Sequence, residues 1–192
     1  FEGLYTLDLD GKAIPASAAD MPEISEDGLV YTFTIRDDAV WSNGDPVTSS
    51  DYVYAWQKMV DSTVAAGYAY MYDGLIQNAT EIIAGELDPA ELAVEAISDK
   101  ELQVTLVQPA PYFLDILAMP FFFPQHQAYM KEQGDSYGSG SDHLIYNGPF
   151  VMTDWDQAVG GSWTFVKNDS YWDEENVQLE EVDVQVIKET ST

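Results

Sequence analysis

The chain contains no cysteine. Disulfides, thiolate metal sites and cysteine nucleophiles are thereby excluded. Basic residues are scarce, seven against 34 acidic ones, giving a formal charge of -27. A surface of that sign repels phosphate backbones and anionic headgroups, so nucleic acid is not an expected partner. The acids are scattered along the chain, which fits solubility in an exposed setting better than a cation site. Histidine is limited to His126 and His143, which lie outside patterns such as H-E-x-x-H and read as surface residues. Long apolar runs are missing too. The stretch "ILAMPFFFP" (Ile116–Pro124) is too short to span a bilayer and is broken by prolines.

What is present argues for a packed protein. Hydrophobic residues make up 46% of the 192, with twelve Tyr, eight Phe and five Trp, enough to build a core in one large domain or two small ones. The chain begins at Phe1 without a signal peptide and stops just after an alternating pattern, "VDVQVIKETST". Both ends are expected to be cuts in a longer protein.

Local patterns set the organisation. "DLDGKAIPA" (Asp8–Ala16) and "SEDGLVYTFTIR" (Ser25–Arg36) carry Asp-Gly turns. After the second, Leu29, Tyr31, Phe33 and Ile35 alternate with polar or smaller residues, as in a half-buried strand. "WSNGDPVTSSDYVYAWQKMV" (Trp41–Val60) starts as a turn and continues as a helix from Ser49. Thr48 and Asp51 have the spacing of a capping box, with Val47 and Tyr52 as its hydrophobic staple. Tyr52, Val53, Trp56, Met59 and Val60 share one apolar face, so these aromatics read as scaffold rather than as a stacking site. "GLIQNATEIIAGE" predicts a second helix with Leu75, Ile76, Ala79, Ile82 and Ile83 on its apolar face and Gly85 ending it. "AVEAISDKELQVTLVQP" predicts a hairpin, and "APYFLDILAM" a short helix with Pro111 near its first turn. Beyond Pro124 come a short helix, a Gly/Ser loop and three strands, in "NGPFVMTDW", "SWTFVKN" and "EEVDVQVIK". A domain break is placed near Pro124.

Catalytic chemistry has little support. "GSGSD" (Gly138–Asp142) lacks the lysine of a phosphate loop and the spacing of a nucleophile elbow. "DLDGK" matches only the central positions of a calcium loop, with Thr6 and Ser17 where the outer ligands belong, so it reads as a turn. The neighbouring acids Asp37–Asp38 and Glu174–Glu175 point apart on extended backbone and make no acid/base pair. No catalytic residue, metal or cofactor is expected.

In order along the chain, "FEGLY", "DGLVYTFTIRDDAVWSNGDPVTSSDYVYAWQKMVD", "YAY", "IIAG", "AVEAISDKELQVTL", "PAPYFLDILAMPFFFP", "NGPFVMTDW" and "NDSYWD" resemble the extracytoplasmic solute-binding proteins of family 5. These are the oligopeptide- and dipeptide-binding components of ABC transporters, and "YVYAWQKMVD" with "GYAYMY" is most similar to the oligopeptide branch. The resemblance implies an α/β (α+β) fold. Residues 1–125 would be the small mixed α/β domain of a two-lobed, type II periplasmic-binding-protein clamp. Residues 126–192 would start the return into the main lobe. It further implies an oligopeptide ligand, an ABC permease partner and an extracytoplasmic location, as a membrane-anchored lipoprotein or in the periplasm. Tyr68 in "GYAY" matches a tyrosine near the family's cleft, where a ring can pack on a side chain and its hydroxyl bond to backbone; packing under a loop is the other reading of it. Tyr146 and Asn147 match a family segment near the domain junction, and the resemblance makes them further candidate ligand contacts.

Other readings remain open on the sequence. The ligand could be a signalling peptide, an oligosaccharide or haem. A surface adhesion protein would use exposed aromatics and acids differently. A glycoside hydrolase would need two carboxylates facing each other across a cleft. A clamp segment should instead show no enclosed pocket, and an apolar face left bare.

Overall fold

The computed structural model describes residues 1–155 and 161–187. It is a mixed α/β chain that forms two compact units, one of Glu2–Asp37 with Val47–Gln127, the other of Phe1, Asp38–Pro46 and the chain from Ala128 onward.

The first unit is built on a four-stranded antiparallel sheet. Its strands are β3 (Glu23–Ile24), β4 (Val30–Thr34), β5 (Val94–Ser98) and β6 (Glu101–Thr105), in the order β3-β4-β6-β5. Alternation decides which side is core: Tyr31, Phe33 and Ile35 are buried, as are Leu102, Val104 and Leu106. A separate hairpin pairs β1 (Tyr5–Leu7) with β2 (Ala13–Pro15). Its turn is the Asp-Gly stretch, where Gly11 takes a φ of 77° and the Asp8 carboxylate accepts from the amides of Asp10 and Lys12, each at 2.9 Å. Those acceptor bonds engage the carboxylate in turn chemistry.

Helix α1 (Ser49–Val60) runs as the spacing predicts. Both halves of the capping box are present, and the Thr48 amide donates to the Asp51 carboxylate at 2.9 Å. Ser49 fixes the helix start to the β5–β6 turn: its amide donates to the carbonyl of Asp99 at 2.9 Å and its hydroxyl to that of Ser98. Lys100, in the same turn, donates to the carbonyls of Arg36 and Val47 at 2.8 and 3.0 Å. The fully buried face is Tyr52, Ala55, Trp56 and Val60, while Val53 and Met59 are half-buried.

The second helix is shorter than predicted. Helix α2 covers only Ala79–Ile83, because Asn78 takes the left-handed conformation at φ 71°. Leu75 and Ile76 are buried but outside it. Here the backbone is committed elsewhere: Gln77 donates to Thr105 at 3.0 Å and Val107 to Leu75 at 2.9 Å, extending the pairing beside β6. A residue whose amide and carbonyl join a neighbouring strand cannot also supply a helical turn. The end is as expected. Gly85, at φ 76°, donates to Ile82 at 2.9 Å and Glu86 to Glu81 at 2.8 Å, which is a Schellman stop. Helix α3 (Phe113–Ile116) follows the hairpin and buries Phe113 against the edges of Tyr31 and Phe33.

Helix α4 (Gln127–Gln133), all but its first residue in the second unit, leads through the Gly/Ser loop to an antiparallel sheet. Its strands are β7 (Phe150–Trp155), β8 (Ser162–Lys167) and β9 (Glu181–Gln185), in that order. The predicted end of the last strand, Lys188, lies outside the described residues.

Candidate functional site

Tyr68 is the most exposed of the three sequence candidates. It opens a 3-10 turn (Ala69–Met71) just beyond α1, and its side chain is 49% exposed. It does not pack beneath a loop. Its ring stacks on Phe121, with centroids 4.0 Å apart and planes at 19°, and Tyr70 lies 6.0 Å away at a tilt. The result is an aromatic surface open to solvent, with an apolar face and a phenol at its edge.

Two hydrogen bonds from buried side chains hold the floor under this surface. Tyr72 donates its hydroxyl to the carbonyl of Phe121 at 2.8 Å, and the Trp56 indole donates to the carbonyl of Phe122 at 2.9 Å. Both donors are fully buried, and burial raises the Tyr72 phenol well above its ordinary pKa, so it stays a donor. Trp56, Tyr72 and Phe122 form one aromatic cluster, Tyr72 stacking on Phe122 at 4.5 Å.

Tyr146 and Asn147 are adjacent in the second unit and are buried, at 6% and 3% exposure. Residue 146 is tied at both ends of its peptide to Ser42: its amide donates to the Ser42 hydroxyl at 3.0 Å, and its carbonyl accepts from the Ser42 amide at 2.7 Å. Ser42 sits in the turn whose Gly44 adopts φ 90° and whose Trp41 amide donates to Asp45 at 2.7 Å. From the other side Asn168, itself buried, donates through its side chain to Gly148 at 2.8 Å and through its amide to Pro149 at 2.9 Å. Ser42 and Asn168 are therefore among the residues that hold this candidate segment, and sequence reading missed both. Ser42 lies 104 residues away, with no local spacing to flag it. Burial is the main cause that pushes the Tyr146 phenol up to about 12, and its buried hydroxyl has no hydrogen-bond partner among the described residues.

Beside Tyr146 the sheet exposes an apolar hollow of about 410 Å³, lined by Phe1, Leu144, Tyr146, Pro149, Phe150, Met152, Phe165 and Val182. Met152, Phe165 and Val182 form one cross-strand row, paired in register across β7, β8 and β9. The hollow is open rather than enclosed, and its lining offers almost no polar partner. It is an open, half-buried apolar face of the second unit.

Among the described residues no group of three or more His, Asp or Glu side chains is placed to hold a metal ion. His143 shares a 2.6 Å hydrogen bond with Gln133.

The profile of the Bacterial extracellular solute-binding proteins, family 5 Middle, matches residues 12–192. The dipeptide-binding protein of Lactococcus lactis subsp. cremoris is 39% identical over the whole of this chain, which covers 35% of that protein. The probable deoxycholate-binding periplasmic protein of Escherichia coli is 37% identical, again over the whole chain and 35% of its own length. The structure of Listeria monocytogenes OppA bound to peptide superposes with a TM-score of 0.93 at 47% identity, covering 97% of this chain and 36% of that one. The chain thus spans about a third of the length of the relatives it matches. Its mixed α/β fold corresponds to that part of their clamp. By sequence and by structure, the chain belongs to the bacterial extracellular solute-binding proteins of family 5.

Proposed function

We propose that this chain is a segment of a protein that captures oligopeptides outside the cell and hands them to an ABC importer, without catalysing a reaction. The observation that carries the reading is the 47% identity, at a TM-score of 0.93, to a protein seen bound to peptide. In this reading residues 1–125 are the small domain and residues 126–192 begin the return into the main lobe. The second compact unit begins at Ala128, close to that break, although it also takes in Asp38–Pro46. The open apolar row of Met152, Phe165 and Val182 is where further chain packs. Tyr68 reaches the ligand from the small domain; Tyr146 and Asn147, buried in this structure, are the lesser candidates for ligand contact. The full protein works outside the cytoplasm, as an anchored lipoprotein or in the periplasm.

A second reading keeps the protein class and changes the ligand. It is favoured by the 37% identical relative whose name specifies deoxycholate, a steroid acid. The test is calorimetry of the full-length protein against the nonapeptide RPPGFSPFR, deoxycholate, a chitin oligosaccharide and haemin. Binding of the peptide alone supports the proposal. Binding of another of these without the peptide overturns it.

A further inference from the structure

We infer that Phe121 is a positioning residue for the ligand: its ring sets the orientation in which Tyr68 meets a bound peptide. The inference rests on the proposed ligand contact of Tyr68.

An exposed tyrosine on a short irregular turn has several rotamers open to it, and a ligand that fixes one of them loses affinity in doing so. Tyr68 follows such a stretch, in which Ala65 takes a positive φ of 52°. Among the described residues its hydroxyl has no protein partner, so the ring is oriented by its aromatic neighbours. Phe121 is the closer and more parallel of the two, at 4.0 Å and 19° against 6.0 Å and 37° for Tyr70. Tyr70 is itself 62% exposed, so it is a poor support. Phe121 is half-buried, and the carbonyls of residues 121 and 122 are both taken by buried donors, the Tyr72 hydroxyl and the Trp56 indole. The stack therefore transmits the rigidity of the α1 scaffold to an exposed ring. Phe121 stacks on one face of Tyr68, and the half-exposed residue keeps ring surface and its hydroxyl open to a ligand. That combination suits a peptide, with an apolar side chain on the ring and a backbone group on the phenol.

The test is a double-mutant cycle in the full-length protein, read by calorimetry with the nonapeptide RPPGFSPFR and accompanied by thermal melting. Tyr68→Ala and Phe121→Leu should each weaken binding by roughly three- to tenfold, the size of one aromatic pair. The double variant should bind no worse than Tyr68→Ala alone, because Phe121 acts through Tyr68. Phe121→Tyr, which keeps the ring, should restore affinity. The inference is overturned if Phe121→Leu weakens binding as much in the Tyr68→Ala background as in the wild type. It is equally overturned if Tyr68→Ala weakens binding and Phe121→Leu does not. A Tyr68→Ala protein with unchanged affinity sinks the contact reading of Tyr68 itself. Failure of the wild type to bind the nonapeptide overturns the peptide reading and this inference together.

Discussion

The indole of Trp56 donates to the carbonyl of Phe122 at 2.9 Å, joining two positions 66 residues apart in the chain. Within the first compact unit, the bond fastens the capped helix α1 to the aromatic stretch near that unit's C-terminal end. It also explains why a tryptophan stands there: it fills the core and satisfies a buried carbonyl at once.

Trp56 separates these two contributions experimentally. Trp56→Ala should destabilise by about 3–5 kcal/mol through the cavity it leaves. Trp56→Phe keeps much of the volume and leaves the Phe122 carbonyl unpaired, so it should cost about 1–3 kcal/mol. Urea unfolding of the full-length protein checks the order. Equal losses for both variants would mean that the hydrogen bond, not the packing, dominates.

Alkaline pH should loosen the second unit. The Tyr146 phenol sits at about 12 in the folded chain against an ordinary 10.0, chiefly through burial. Below pH 10 both states keep the proton and nothing changes. As pH rises from about 10 to about 12 the unfolded phenol ionises while the folded one does not, so stability is lost across that window. Tyr5, Tyr52 and Tyr72 are raised by burial in the same direction. Tyr146→Phe should therefore flatten the fall in urea midpoint with pH without abolishing it. Parallel curves for wild type and variant would show that Tyr146 does not contribute.

Gly3 tests the packing of the first compact unit. A Cβ at this position would lie 2.7 Å from the Phe123 ring and 2.8 Å from the carbonyl oxygen of Leu117. The ring could turn aside, but the carbonyl is backbone. Gly3→Ala should cost about 1–3 kcal/mol, as overpacking does. A thermal midpoint unchanged by the substitution would contradict this close approach.

Features governed by near neighbours were legible in the sequence. The Thr48–Asp51 cap, the Gly85 stop and the alternation of Tyr31, Phe33 and Ile35 each need only a few residues of context. Non-local hydrogen bonds were not. The α2 helix was read as starting too early because the pairing of Leu75 and Gln77 beside β6 carries no local signal. The tether from Ser42 to Tyr146 was invisible for the same reason. Tyr68 was found through family resemblance, and its stacking partner Phe121 was hidden inside an apolar run that composition assigns to the core.

The central claim is that this chain supplies one part of a peptide clamp whose main contacts lie outside it. The most direct measurement is a paired calorimetric titration of the 192-residue chain and of the full-length protein with the nonapeptide RPPGFSPFR. The account predicts a clear binding isotherm for the full-length protein and only very weak binding by the chain alone. Micromolar or tighter binding by the 192-residue chain would contradict it.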